Sequence, residues 1–126
     1  MKSDTFVLDT SFISSLLNQA DVNHQQAVEI YQKFPQQSTF VVPRTVELEL
    51  AILQAKLLPD ADVQGFLSEI GVVRIDIDQK FVSGYGKFVQ DTNSRAKTVD
   101  LSVLFVTKEY QGQLVTLDKW LARQLD

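Results

Sequence analysis

Hydrophobic positions along the chain follow two alternating patterns. Short continuous apolar runs, typical of strands buried on both faces of a parallel sheet, occur at residues 5–9, 39–42, 72–75 and 113–116. The longer segments of mixed polarity between them predict helices. Because the two kinds of segment alternate, the pattern predicts a three-layer α/β/α domain with a central parallel sheet and right-handed crossovers.

Capping residues, prolines and glycines delimit the predicted helices. We expect Thr10 or Ser11 to cap the first helix and Asp21 or Asn23 to cap the second, which ends at Pro35. The other predicted helices are 44–57, 59–71, 78–90, 98–111 and 118–125, with a turn at residues 91–94.

The segment from Thr98 to Gln111 is compatible with two structures. Its apolar, β-branched composition favours a buried strand. A helix is favoured by its length, by Thr98 as a cap, by Asp100 near the positive end of the helix dipole and by Gly112 at the end. We therefore predict a helix.

Two of the predicted strands lead directly into an aspartate. Asp9 ends the first strand and Asp118 follows the last. Since α/β folds place their chemistry outside the carboxyl ends of the strands, these two aspartates are expected to meet. A buried carboxylate pair needs a cation or a shared proton, which suggests a metal site. Each aspartate also precedes a helix, so capping that helix is the alternative explanation for both.

Further acidic candidates lie on two of the predicted helices. Asp100 is in the first turn of the helix that leads into the strand before Asp118. On the helix at 44–57, Glu49 lies about 70° from the centre of the apolar stripe and Glu47 about 90° on the other side. Spacing alone does not choose between the two glutamates.

Composition limits the possible classes of protein. The 126 residues, 44% of them hydrophobic, are expected to form one domain over residues 1–126. There is no apolar run of membrane-spanning length and no signal-peptide pattern, so we expect no membrane association. The chain has no cysteine, which excludes disulfides and thiolate metal sites and fits a cytoplasmic location.

The net charge does not decide whether the partner is a nucleic acid. A formal charge of −4 argues weakly against one, because nucleic-acid-binding domains are usually basic. If four of the 16 acidic residues hold metal, however, the rest are balanced by the 12 basic residues.

Three motifs, in this order, resemble those of a known family. They are Val7-Leu8-Asp9-Thr10-Ser11, then Val42-Pro43-Arg44-Thr45-Val46-Glu47-Leu48-Glu49-Leu50, and finally Asp100-Leu101 followed by Gly112-Gln113-Leu114-Val115-Thr116-Leu117-Asp118. Together they cover nearly the whole chain and resemble PIN domains, in particular the compact VapC-type toxin ribonucleases. The resemblance implies a PIN-like fold with a parallel sheet of four strands, or of five if the family's final edge strand forms.

The resemblance also implies a set of site residues and a cofactor. It places Glu49 rather than Glu47 at the family's acidic position. The implied catalytic and metal-binding quartet is Asp9, Glu49, Asp100 and Asp118, and the hydroxyl positions beside it are Ser11 and Thr116. Oxygen ligands without cysteine or histidine select hard cations, so the implied cofactor is Mg²⁺ or Mn²⁺. The implied reaction is hydrolysis of RNA phosphodiester bonds.

The resemblance to the toxin family also implies binding partners. It implies a type II toxin–antitoxin (VapBC-like) pair, with a small antitoxin that blocks the acidic pocket, and a toxin homodimer. Basic residues close in sequence to the candidate acids are expected either to approach RNA phosphates or to be solvated or paired charges; they are Arg44, Arg95, Lys97 and Lys119.

Other residues and other functions give alternatives. We expect His24 to lie on the surface in its polar context, and Trp120 either to pack the last helix on the core or to contact a partner. A non-catalytic PIN-like module that binds RNA or protein is the alternative function. A phosphoacceptor receiver domain is disfavoured, since Asp9 has no adjacent acidic residue.

Overall fold

A computed structural model of the chain describes residues 4–92 and 96–125. The strands are β1 (Thr5–Leu8), β2 (Thr39–Pro43), β3 (Val73–Ile75) and β4 (Gln113–Val115). The helices are α1 (Thr10–Leu17), α2 (His24–Gln32), α3 (Arg44–Leu57), α4 (Val63–Glu69), α5 (Gln79–Thr92), α6 (Thr98–Glu109) and α7 (Lys119–Arg123). None of the helices in these two ranges is both long and apolar enough to cross a bilayer.

The four strands form one parallel sheet in the order β3-β2-β1-β4. Val7, in the central strand β1, is paired with Val41 of β2 and with Leu114 of β4. The predicted parallel sheet flanked by helices is confirmed, with four strands in the described residues. In the receiver-type order 2-1-3-4-5, the neighbours of the first strand are the second and third. Here they are β2 and β4, so the receiver alternative is wrong.

Helix α6 occupies the centre of the helical packing, which explains its composition. It contacts β1, β2, β4, α3 and α5, and residues 101–107 are all buried. A helix surrounded on every side has no polar face, so its apolar run looked like a strand in sequence. The predicted helix is confirmed.

Several predicted boundaries and caps are wrong. Asp9 rather than Thr10 or Ser11 occupies the N-cap position of α1, and Lys97 rather than Thr98 occupies that of α6. Helix α4 begins at Val63 instead of Pro59, because the side chain of Asp62 accepts a hydrogen bond from the Gly65 amide at 2.9 Å.

Two further boundaries differ from the sequence pattern. Helix α2 ends at Gln32, before Pro35 is reached. Of the turn predicted at residues 91–94, the first two residues belong to α5, and Asn93 and Ser94 lie outside the described residues.

Candidate functional site

A pocket of about 470 Å³ opens at the carboxyl edge of the sheet. Since β1 and β4 are adjacent and parallel, the residues that follow them meet there. All four predicted carboxylates line this pocket: Asp9, Glu49, Asp100 and Asp118. We call it the acidic pocket. It draws on both ends of the described chain and on the middle helix α3.

The Asp9 carboxylate is held in place by two hydroxyl groups. Its side chain is 4% exposed, and the hydroxyls of Ser11 and Thr116 both donate to Oδ2, at 2.9 and 2.7 Å. Each hydroxyl in turn accepts a backbone amide at 3.0 Å, Ser11 from Leu117 and Thr116 from Asp118. These bonds fix the orientation of the Asp9 carboxylate and join the start of α1 to the segment after β4.

The helix-cap alternative applies to one aspartate and not to the other. Asp9 occupies the N-cap position of α1, but its side chain makes no capping hydrogen bond. Asp118 does cap α7, because its Oδ1 accepts from the amide of Leu121 at 3.1 Å. Asp118 thus stabilises a helix while also lining the acidic pocket.

The pKa of Asp100 reflects the electrostatics of the acidic pocket. Burial raises the pKa of its carboxyl above the ordinary value of 3.8. The negative charges of the other three carboxylates add to this rise in pKa, in the order Asp9, Asp118 and Glu49, and Lys97 partly opposes it. The four acids therefore repel one another as a single cluster in the absence of a cation.

The two glutamates of α3 lie in different environments. Glu47 is 9% exposed and is bound by Arg44 at 3.0 Å, Arg74 at 3.2 Å and Gln64 at 3.2 Å. Glu49 lines the acidic pocket. The structure thus places Glu49 with the other three acids and uses Glu47 to tie α3 to β3 and α4.

The basic candidates are divided in the same way. Lys97 lines the acidic pocket, whereas Arg44 is paired with Glu47 and with Asp76 at 2.7 Å. Lys119 is exposed at the start of α7 and is not among the described residues that line the pocket. Arg95 lies outside the described residues.

The donor chemistry of the acidic pocket fits a hard divalent cation. Every side-chain ligand it offers is an oxygen, and a clustered, mutually repelling set of carboxylates is what a cation neutralises. In the part of the chain that the structure describes, no three acidic or histidine side chains are arranged to surround one ion directly. Mg²⁺ usually keeps several waters and binds through one or two carboxylates, so it does not require three acids in direct contact.

Sequence reasoning missed one side of the pocket. It is lined by Ser14, Ser15, Asp21 and Asn23, from α1 and the connection to α2. The sequence feature that could have identified this side is helical spacing, which puts Ser14 and Ser15 one turn after Thr10 and Ser11. His24 is half-buried rather than on the surface, since its Nδ1 lies 2.9 Å from the carbonyl oxygen of Ser15.

Comparisons with known proteins agree with this geometry. The PIN domain family model matches residues 6–124. A search of curated proteins found no significant sequence match. Among solved structures, Mycobacterium tuberculosis VapC20, described as a Sarcin-Ricin loop cleaving toxin, superposes with a TM-score of 0.74 at 18% identity, covering 94% of each chain.

Two further structures share the fold. VapBC2 from Rickettsia felis, bound to a promoter DNA fragment, gives a TM-score of 0.61 at 18% identity, covering 94% of this chain and 92% of that one. FitAcB from Neisseria gonorrhoeae gives 0.64 at 15% identity, covering 94% and 91%. With a family model that spans almost its whole length and a parallel sheet that gathers four acids at one edge, the chain belongs to the PIN domain family.

Proposed function

We propose that the chain is a metal-dependent endoribonuclease and the toxin of a type II toxin–antitoxin pair in the cytoplasm. The observation that carries this proposal is the set of four carboxylates around one pocket, with the pKa of Asp100 raised by burial and by the other three. Membership of the PIN family supports nuclease chemistry. The M. tuberculosis neighbour, described as a toxin that cleaves the Sarcin-Ricin loop, supports RNA as the substrate.

Each residue has a separate proposed role. Asp9 and Asp100 would hold the cation, and Asp118 would be a further ligand or would orient water. Ser11 and Thr116 keep the Asp9 carboxylate in one rotamer through the hydrogen bonds described above. Glu49 would either be a further ligand or act as the general base that accepts a proton through a water. When bound, Mg²⁺ or Mn²⁺ supplies positive charge that polarises water and neutralises the phosphate.

The proposed protein partners are an antitoxin and a second copy of this chain. The VapBC2 and FitAcB neighbours support a toxin–antitoxin assembly. One face of α3, formed by Leu48, Ala51, Ile52 and Ala55, is exposed; Leu48 is 63% and Ile52 58% exposed. This α3 face supports a homodimer, because adjacent exposed apolar side chains usually mark an interface.

The test of the proposed activity is RNA cleavage by the wild type and by Asp9→Asn. Mg²⁺ or Mn²⁺ should support cleavage and a chelator should abolish it. Asp9→Asn should lower the rate by about 1,000-fold, since neutralising transition-state charge is worth several kcal/mol. Its thermal midpoint without metal should equal or exceed that of the wild type, because one repelling charge is removed.

Asp60→Asn is the matched control. Asp60 is exposed and lies between α3 and α4, away from the acidic pocket, so this variant should cleave at the wild-type rate. Undiminished cleavage by Asp9→Asn would contradict the assignment of Asp9.

A non-catalytic binding module is the second candidate function. It is favoured by the absence, in residues 4–92 and 96–125, of three acids arranged to surround an ion directly. Calorimetry with Mn²⁺ separates the two: the nuclease should bind the ion with an affinity that Asp9→Asn reduces, and the module should show no binding heat.

A further inference from the structure

The tryptophan of α7 borders a second cavity next to the acidic pocket. This cavity, of about 520 Å³, is lined by Trp120 and Ala96 together with Lys97, Asp100 and Asp118, which also line the acidic pocket. We propose that this Trp120 cavity is a stacking site for a base of single-stranded RNA, next to the phosphate held at the acidic pocket. The inference rests on the proposed nuclease function and adds to it a subsite for the neighbouring nucleotide.

The ring of Trp120 is partly exposed among the residues that the structure describes. It is 39% exposed, whereas the next residue, Leu121, is fully buried and anchors α7 in the core. The ring–ring contacts of the described aromatic side chains form two groups, one around Phe34 and one around Phe105, and Trp120 is in neither. Its indole therefore contributes to the wall of a cavity instead of to an aromatic cluster of the core.

The position of Trp120 is fixed relative to the acidic pocket. The hydrogen bond from the Leu121 amide to Asp118 Oδ1 closes the first turn of α7 around Trp120. Consecutive Cα atoms are 3.8 Å apart, so the Cα of Trp120 lies within about 7.6 Å of the Cα of Asp118. A strand with one phosphate at the carboxylates therefore places a neighbouring base within reach of the indole.

The chemistry of the cavity favours a nucleic acid over a protein segment. Lys97 lies at the boundary of both cavities and offers a cation to a phosphate of the strand that passes there. Proteins that bind single-stranded nucleic acids combine such cations with aromatic side chains on which bases stack. Every base has a stacking face, so we expect Trp120 to add affinity with little preference among bases.

Intrinsic fluorescence tests the contact directly. Trp120 is the only tryptophan of the chain, so its emission reports on this cavity alone. The Asp9→Asn variant in Mg²⁺ leaves the strand uncut. With this variant, a single-stranded oligoribonucleotide that binds by fluorescence anisotropy should quench the emission. An oligomer of the same length with abasic sugars carries the same phosphates and should not quench it.

Variants measure what the ring contributes to binding. Trp120→Ala should bind the oligoribonucleotide about 10- to 100-fold more weakly and raise KM by a similar factor, with little change in kcat. Trp120→Phe should restore most of the loss. Tyr110→Ala is the matched control, because Tyr110 is 45% exposed but precedes the amino end of β4, at the opposite edge of the sheet. Circular dichroism should show that all three variants are folded.

Several outcomes would overturn the proposal. They are binding of RNA without quenching, equal affinity for Trp120→Ala and the wild type, quenching by the abasic strand, no binding of RNA at all, or quenching by an antitoxin peptide but not by RNA. Failure of the nuclease proposal gives a different result. RNA would then quench the Trp120 emission, but the wild type in Mg²⁺ or Mn²⁺ would not cleave the RNA.

Discussion

Acidic residues with similar local sequences have different roles because their contacts with distant parts of the chain differ. Asp9 and Asp118 both follow a strand and precede a helix, yet only Asp118 caps. Asp9 is instead bound by Thr116, 107 positions away. Helical geometry likewise left Glu47 and Glu49 equivalent, until Arg74 from β3 paired with Glu47. Sequence pattern and resemblance named the four acids, and long-range packing determined the partners of Asp9 and Glu47.

At this scale the raised pKa of Asp100 predicts a pH dependence. Because the folded-state pKa lies above 3.8, the ionised carboxyl destabilises the folded protein. The protonated carboxyl does not destabilise the fold in this way. The stability linked to Asp100 is therefore fully present below pH 3.8 and is lost as pH rises through the folded-state pKa. In metal-free buffer, Asp100→Asn should therefore melt roughly 2–3 °C above the wild type at pH 7, a modest shift because Asp100 is half-exposed.

The difference between the two melting curves is the informative measurement. It should shrink as pH falls toward 3.8, and it should also shrink when Mg²⁺ is added to both proteins at pH 7. A difference that stays constant with pH would contradict the electrostatic origin of the raised pKa.

Helices and strands could be predicted where the hydrophobic pattern within the segment itself indicates the structure. All four strands and seven helices lie close to their expected positions. The predicted start of a helix was wrong where a capping side chain outside the periodic segment determines it, as Asp62 does for α4. Two glycines within α5 differ in role. A Cβ at Gly84 would lie 2.9 Å from Cζ of Phe105, whereas a Cβ at Gly86 would meet nothing within 4 Å.

At the scale of the helix, these two glycines make a matched pair. Gly86→Ala should raise the free energy of unfolding by about 0.5–1 kcal/mol, because alanine has the higher helix propensity. Gly84→Ala gains the same propensity but crowds the Phe105 ring, which Phe81, Tyr85 and Phe88 surround. Overpacking should outweigh the gain and give a net loss of about 1 kcal/mol.

Urea denaturation of both variants measures the two effects. Stabilisation by Gly84→Ala equal to that by Gly86→Ala would show that the α5–α6 packing yields easily, contrary to the expectation.

At the scale of the whole molecule, the alternation of strands and helices predicted the parallel sheet but not the order of its strands. Short apolar runs are interchangeable in composition, so β4 cannot be assigned to the side of β1 from its own residues. The order β3-β2-β1-β4 is what brings Asp9 and Asp118 to one pocket. Exposed apolar residues on α3 were likewise unrecognised, since they alternate with residues of the core stripe.

The α3 face predicts self-association. Ile52→Glu should weaken the homodimer by at least about tenfold, because it places a charge within an apolar contact. Val22→Glu is the control, since Val22 is 94% exposed and lies outside this face. Light scattering across a concentration series should show a dimer for the wild type and the control, and a monomer for Ile52→Glu. A wild type that stays monomeric at every concentration would contradict the proposed dimer.

The hydroxyl bridge from Thr116 to Asp9 has a consequence for biosynthesis. A polypeptide emerges from the ribosome with its amino end first. The hydroxyl of Thr116 that orients the Asp9 carboxylate, and the fourth acid at Asp118, are therefore made more than a hundred residues after Asp9. Every shorter nascent chain lacks part of the acidic pocket. For a protein proposed to be toxic to the cell that makes it, competence to cut RNA thus arises only after Asp118 has been made, which gives an antitoxin time to bind the growing chain.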